Sequence, residues 1–313
     1  MRILLFGDGQ WAADALTKLV ACGDDLVGVV VRVHPSDSSL EEAADRFDVP
    51  VHQPANVNSL EFVATAITLE PDLALSVSYN QIIRRPLLGI ARAGFVNFHA
   101  GRLPRYRGRN VINWAIINGE QEIGLTSHYV DEGIDTGDII LQRTLPIGWC
   151  DTYGSVLARV VAALPDLVVQ TVALIASGSP PRTPQDHSAA TYYCGREEGD
   201  EWLDWADTSR NLYNKIRGIT RPGPGACTLL GGDVVRVWGA QYDPTWPKYI
   251  ATPGQVVGKH AGGSLIKTGD SVLLLTDVQV GDAACTVPPW RIGTRLGINL
   301  LARACSVATQ PIA

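Results

Sequence analysis

Apolar and polar positions follow two rhythms through the first half of the chain. Apolar runs of strand length occupy residues 3–6, 26–33, 51–53, 73–77, 94–99, 124–129 and 139–144. Between them, apolar residues recur at helical spacing over residues 11–20, 40–47, 60–69, 82–88, 111–118 and 153–176. Strands that alternate with helices predict an α/β, Rossmann-like domain with a mostly parallel sheet. Active sites of such sheets lie at the carboxyl ends of the strands.

The pattern changes after about residue 205. Residues 209–219 predict an amphipathic helix, and the prolines that follow end it. Short β-rich runs then recur at residues 226–230, 234–241, 254–258, 264–268 and 271–280, with glycine turns between them. This predicts a smaller, OB-like β-barrel. We therefore predict a catalytic domain over 1–200 and a second domain with a leading helix over 201–313, and we interpret the Pro- and Ser-rich run 178–186 as the approach to a linker.

Composition narrows the class of protein. Of 313 residues, 46% are hydrophobic and 19% charged, which is typical of a globular chain. The formal net charge of −6 argues mildly against a nucleic-acid partner, because phosphate contacts need cations.

The six cysteines are scattered without a Cys-x-x-Cys pair, so we expect reduced thiols. The sequence suggests neither a signal peptide nor the ~20 apolar residues of a membrane span, so we expect a cytoplasmic protein with no membrane partner.

Two segments carry candidate chemistry. Asn97 and His99 lie two apart on a predicted strand, so their side chains share a face at its carboxyl end. The amide can donate to an oxygen that gains negative charge, and the imidazole can accept a proton near neutral pH. The spacing alone favours a structural role, with the histidine bonded to the backbone and the asparagine capping a turn. The second segment, with Asp131, Asp135 and Asp138, is an acidic glycine loop, and spacing does not choose which acid faces the strand end.

The combination of motifs resembles the folate-dependent formyltransferases, and more closely those that formylate sugar nucleotides than those that act on methionyl-tRNA. Three motifs carry the resemblance: Asn97-Phe98-His99, the loop 103–108 (Leu-Pro-Arg-Tyr-Arg-Gly), and Asp135-Thr136-Gly137. It implies that Asn97 stabilises an oxyanion, that His99 is the general base and that Asp135 is its partner. It also implies N10-formyltetrahydrofolate as the formyl donor and no metal.

The resemblance also places the two substrates. The folate would border residues of two loops, with contacts made largely by the main chain: Ser78, Tyr79, Asn80, Gln81, Ile82, Val130, Asp131 and Ile134. For the acceptor we predict contacts from the first glycine turn and from the loop after His99: Gly9, Gln10, Trp11, Arg102, Arg105, Tyr106, Arg107 and Arg109. Guanidinium groups suit the oxygens of a diphosphate, although some of these arginines can instead brace the loop through ion pairs.

Other functions fit parts of the sequence. Residues 7–12 read G-x-G-x-x-A after a strand, as in nicotinamide-dependent oxidoreductases. Arg32 stands where an acid would bind the ribose, which weakens this alternative, although an arginine suits the phosphorylated ribose of NADP. A metal hydrolase would need His99, His128 and an acid, without a metal-binding spacing in support. A binding module would leave the three candidate catalytic residues without a joint purpose.

The acceptor amine is inferred from charge. The stretch after the second strand, residues 32–42, is short and leans acidic, whereas tRNA-acting members carry a basic insertion there. We therefore expect a nucleotide-linked amino sugar, a dTDP- or UDP-linked 4-amino-deoxysugar in particular. Methionyl-tRNA and hydroxyornithine remain as alternative acceptors. For the closing domain we expect a structural or dimer-forming role, and hence a homodimer.

Overall fold

The computed structural model describes residues 1–260 and 262–297, which form two compact units. The first contains residues 1–112, 121–147 and 156–195. The second contains residues 113–120 and 148–155 together with the chain from Arg196 onward. The second unit thus includes two short stretches that the linear boundary at residue 200 does not anticipate.

The first unit is built on a seven-stranded sheet. Its strands are β1 Arg2–Gly7, β2 Asp25–Val31, β3 Val51–His52, β4 Leu73–Val77, β5 Phe95–His99, β7 Glu122–Tyr129 and β8 Ile139–Pro146, and β6 Arg107–Gly108 pairs separately with β9 Tyr192–Tyr193. The order is β3-β2-β1-β4-β5-β7-β8, parallel as far as β5 and antiparallel beyond it. All five residues of β4 are buried, as expected for a central parallel strand.

Helices connect these strands. They are α1 Gly9–Ala21, α2 Ser39–Arg46, α3 Leu60–Thr68, α4 Arg85–Leu88, α5 Val111–Ile117 and α6 Tyr153–Ala176, with a 3₁₀ turn at His187–Ala189. Phe6, Val30 and Phe95 pack with Phe62 of α3 and Leu87 of α4 in one apolar cluster. This cluster packs α3 and α4 against residues of β1, β2 and β5.

The prediction of a helix over 82–88 is too long at its start, because α4 begins at Arg85. Arg84 has extended backbone angles and precedes Pro86, which occupies the first turn. The side chain of Asn58 donates to Ile82 O and accepts from Arg84 N, at 2.8 Å each. Residues 80–84 are therefore held as an extended loop.

By length and composition, α6 can span a bilayer, contrary to the expectation that no stretch approaches that length. Its buried residues include Val156, Val160, Leu164, Leu167 and Val168. Core helices of soluble proteins meet the same criteria, so α6 is weak evidence for a membrane span.

The second unit contains α7 Ser209–Ile219 and one antiparallel sheet. Its strands are β10 Ala226–Leu230, β11 Asp233–Gln241, β12 Val256–His260, β13 Gly263–Lys267 and β14 Val272–Val280, in the order β10-β11-β14-β13-β12. Thr208 caps α7 by accepting from Asn211 N. Trp205, Leu212 and Ile216 pack against Val235 and Leu273 in the core. The predicted fold class, an α/β domain followed by a smaller β domain, is confirmed.

Candidate active site

The structure brings Asn97, His99 and Asp135 together at the carboxyl end of β5. Asn97 Nδ2 lies 3.4 Å from Asp135 Oδ1, and His99 Nδ1 lies 3.7 Å from Asp135 Oδ2. Neither Asp131 nor Asp138 occupies this position: Asp131 accepts from Gly133 N and from Thr136, and so closes its own turn. The acid that the resemblance selected is thus the one that faces the strand end.

Asp135 is held as a buried carboxylate. Its side chain is 13% exposed, and Oδ2 accepts from Gly108 N at 2.8 Å. Burial alone would raise the pKa of this carboxyl, but His99, His128 and the Gly108 N–H outweigh burial and hold the pKa of Asp135 well below its ordinary value. Asp135 is therefore ionised throughout the physiological range. Its charge is available to stabilise a protonated imidazole.

The tautomer of His99 follows from its partners. Nε2 lies 2.6 Å from Tyr106 O, and a carbonyl oxygen only accepts, so Nε2 carries a hydrogen. In the neutral ring the lone pair is then on Nδ1, the nitrogen that faces Asp135. A proton taken up at Nδ1 would lie beside the carboxylate. The ring itself is 8% exposed and lies behind Asp135 rather than on the cavity wall.

His128 also belongs to this cluster. The sequence analysis considered it only as a possible ligand in a metal hydrolase. Its Nε2 lies 3.4 Å from Asp135 Oδ1 and 3.2 Å from Asn97 Nδ2, and Nδ1 donates to Tyr129 O at 2.9 Å. In the neutral ring Nε2 accepts from Asn97, which directs the amide nitrogen toward Asp135. Asn97 and His128 are directly opposite on the paired strands β5 and β7. A correct prediction of this pairing would have brought His128 to the site.

A cavity of about 500 Å³ opens beside these residues. Such a volume is in the usual range for small-molecule sites. Seven of the eight predicted folate-contacting residues line it, and they are Tyr79, Asn80, Gln81, Ile82, Val130, Asp131 and Ile134. Asn97, His128 and Asp135 line it as well. Ser78 lies behind the wall, where its oxygen atoms accept from the guanidinium of Arg32.

The predicted acceptor-binding residues are dispersed. Of the four loop arginines, all in the described part of the chain, Arg109 is the one that lines the cavity. Arg102 pairs with Glu122, and Arg105 is exposed. Arg107 is 1% exposed and donates to Gln185 and Tyr192, which argues against its predicted contact with a diphosphate.

The other acceptor-side predictions lie outside the cavity wall. Tyr106 is buried, with its ring stacked on that of Tyr193 at 4.9 Å. Gln10 donates to Asp14 within α1, and Gly9 and Trp11 begin the same helix. These contacts show where the residues are, and their role in acceptor binding stays a prediction.

Arg32 left an NADP-dependent oxidoreductase as an alternative function, but its guanidinium makes other contacts. Its Nη1 lies 3.0 Å from Asp8 Oδ2, and Nη2 donates to Ser78. Burial lowers the pKa of Arg32, and the charge of Asp8 opposes that shift. The guanidinium thus ties the ends of β1, β2 and β4 together, which leaves it poorly placed to bind a ribose phosphate.

The run 178–186, which we interpreted as the approach to a linker, and the segment after it both contribute to the site. Gln185 is 7% exposed, and Tyr193, Cys194 and Gly195 line the cavity. The pairing of β6 with β9 brings this segment against the loop after His99. Gly108 is required at this contact, because its φ is 98° and a Cβ there would lie 2.1 Å from Tyr193 O.

No group of three or more His, Cys, Asp or Glu residues suited to hold a metal ion occurs within residues 1–260 and 262–297. The site within this part of the chain consists of an amide, two imidazoles and one carboxylate.

Comparison with known proteins defines the class. A model of the formyl transferase family matches residues 1–172, and one of the formyl transferase C-terminal domain matches residues 197–293. The chain therefore belongs to the formyl transferase family, and it is a folate-dependent formyltransferase.

Sequence relatives and structural neighbours differ in their substrates. The methionyl-tRNA formyltransferase of Pelotomaculum thermopropionicum is 34% identical over 291 residues, covering 90% of this chain and 92% of its own. That of Symbiobacterium thermophilum is 37% identical, with 89% and 88% covered. An N-formyltransferase from Helicobacter canadensis, solved with folinic acid and dTDP-3-aminofucose, superposes with a TM-score of 0.71 at 19% identity and covers 88% of this chain and 99% of its own. A sugar 3N-formyl transferase solved with dTDP and 5-N-formyl-THF gives 0.70 at 18%, with 91% and 99% covered.

Proposed function

We propose that this enzyme transfers the formyl group of N10-formyltetrahydrofolate to the amine of a nucleotide-linked amino sugar. The observation that best supports formyl transfer at this site is the lining of the cavity. Its wall includes both loops assigned to the folate and, next to them, Asn97 and Asp135. A formyl carbon held between these loops would therefore lie beside an amide donor and a carboxylate-supported imidazole.

The chemistry follows from these groups. The lone pair of the acceptor amine attacks the formyl carbon, and negative charge grows on the formyl oxygen, where an N–H of Asn97 would stabilise it. The ammonium formed on the acceptor loses a proton, which would pass by way of the carboxylate of Asp135, on the cavity wall, to Nδ1 of His99. Collapse of the intermediate re-forms the formyl C=O and breaks its bond to N10, and N10 receives the proton held by His99, so that tetrahydrofolate leaves and His99 returns to its neutral form.

The charge of the chain supports a small acceptor. The net charge is −6, and residues 32–42 lack the basic insertion expected of a tRNA-binding member. Arg109 remains on the cavity wall, where one guanidinium suits a phosphate of a nucleotide sugar. The neighbour from Helicobacter canadensis, which was solved with folinic acid and dTDP-3-aminofucose, offers a parallel for such a pair of substrates on this fold.

Methionyl-tRNA is the second candidate acceptor, because relatives of that name are 34% and 37% identical along about nine-tenths of the chain. A panel of acceptors with N10-formyltetrahydrofolate separates the two. It compares dTDP- and UDP-linked 4-amino sugars with methionyl-tRNA, hydroxyornithine and, as a blank, uncharged tRNA. We expect a kcat/KM for one nucleotide sugar at least about 100-fold above that for methionyl-tRNA, since discrimination by unmet polar contacts reaches this size. A higher kcat/KM for methionyl-tRNA would overturn the proposed acceptor.

A further inference from the structure

The side chain of Gln185 joins the two loops that carry the candidate site. Its Nε2 donates to the backbone oxygens of Asp135, at 2.9 Å, and of Gly137, at 2.7 Å. Its Oε1 accepts two hydrogen bonds from Arg107, one from Nε at 3.1 Å and one from Nη2 at 2.6 Å. Gln185 is 7% exposed, so these bonds are sheltered from water.

Only a side chain with both a donor and an acceptor can make this connection. The guanidinium of Arg107 offers hydrogen-bond donors alone, and the two backbone oxygens accept alone. The amide of Gln185 meets both needs, and only in one orientation, with Oε1 toward Arg107. A carboxylate here would satisfy the arginine and repel the carbonyls.

Arg107 is itself fixed in place. Its Nη1 donates to the hydroxyl of Tyr192 at 2.6 Å, and Nη2 lies 3.1 Å from His187 Nδ1. Its neighbour Gly108 donates to the carboxylate of Asp135. The loop after His99 thus contacts Asp135 twice, directly through Gly108 and indirectly through Arg107 and Gln185.

Asp135 needs such support because its backbone has a φ of 52°, a conformation that residues other than glycine adopt at a cost. We propose that Gln185 is a positioning residue for formyl transfer, which holds the backbone of Asp135 and Gly137 so that the carboxylate faces His99, and that Arg107 orients its amide. This inference rests on the role proposed for Asp135.

The test compares Gln185→Glu with wild type by steady-state kinetics. The acceptor is a dTDP-linked 4-amino sugar, or methionyl-tRNA if the panel selects it. We expect kcat to fall about 10- to 100-fold, since a misplaced catalytic group costs up to about that factor. The KM for the formyl donor should change less than about threefold, because the loops that line the folate cavity keep their own contacts. Gln170→Glu is the matched control, since it makes the same exchange at an exposed position outside the cavity wall.

A double-mutant cycle with Asp135→Asn separates positioning from general structural damage. If Gln185 acts through Asp135, Gln185→Glu should cause little further loss of kcat in the Asp135→Asn background. Full multiplication of the two losses, or wild-type kcat in Gln185→Glu, would overturn the inference. Wild-type kcat in Asp135→Asn would instead refute the role of Asp135. If Gln185→Glu melts well below wild type, Gln185→Asn, which keeps both polar groups on a shorter chain, replaces it in the same cycle.

Discussion

Two imidazoles flank the carboxylate of Asp135, and they differ in their position relative to the cavity. His128 lines the cavity and accepts from Asn97, whereas His99 lies behind Asp135 with Nδ1 directed at it. In the neutral form both rings have a lone pair on the nitrogen that faces the carboxylate, but that of His128 already accepts from Asn97, so we assign proton transfer to His99. His128 then serves to direct the amide of Asn97.

Alanine at each position separates these roles. His99→Ala should lower kcat by about 100- to 10,000-fold, the usual contribution of a general base. His128→Ala should lower kcat only about tenfold, the factor expected when one hydrogen bond is lost. Both variants should bind folinic acid like wild type in a fluorescence titration. A larger loss of kcat in His128→Ala than in His99→Ala would instead assign the role of general base to His128.

The sequence predicted individual residues best where strand geometry applied. Alternation along β5 placed Asn97 and His99 on one face, and the structure brings both to Asp135. The choice of Asp135 among three acids came from the resemblance, because loop spacing does not reveal which carboxylate turns inward. Arg107 shows that residue type alone does not predict a contact. A guanidinium suits a phosphate and a buried glutamine equally, and the burial of Arg107 decides between these two partners.

At the scale of elements, the pairing of β6 with β9 organises the site. Each strand has two residues, too few to show an alternating pattern, and they are 85 positions apart. Such a contact arises from tertiary packing, which a local pattern does not reveal, and the composition of residues 178–186 therefore indicated only an approach to a linker. The long apolar runs of β1, β4 and β5 carried enough signal to be predicted from the sequence.

Gly108 tests the importance of this pairing. In Gly108→Ala the new Cβ would collide with Tyr193 O, and the N–H that reaches Asp135 would move. We expect a loss of about 1–3 kcal/mol in the free energy of unfolding beyond that of the control, and a fall in kcat of at least about tenfold. The control is Gly178→Ala, which also has a positive φ, 86°, but has open space around its Cβ. Equal urea midpoints and unchanged kcat in both variants would contradict this account.

At the scale of the whole molecule, net charge bears on the acceptor. A polynucleotide bound through six or more phosphates would lose on the order of 1,000-fold in affinity between 50 and 200 mM salt, whereas a diphosphate would lose about tenfold at most. We expect the acceptor KM to rise no more than tenfold over this range. Arg109→Gln should raise that KM and flatten its salt dependence, and Arg92→Gln, exposed and outside the cavity wall, should do neither. A steep salt dependence in wild type would indicate a nucleic-acid acceptor.

The contact of Gln185 with Asp135 also determines where the chain can be divided. The family model of the first domain ends at residue 172, thirteen positions before Gln185. A chimera joined at that point would inherit Asn97, His99 and Asp135 from one parent, and Gln185, Tyr192 and Tyr193 from the other. Exchange of second domains between formyltransferases should therefore preserve catalysis only when the junction lies beyond Gly195.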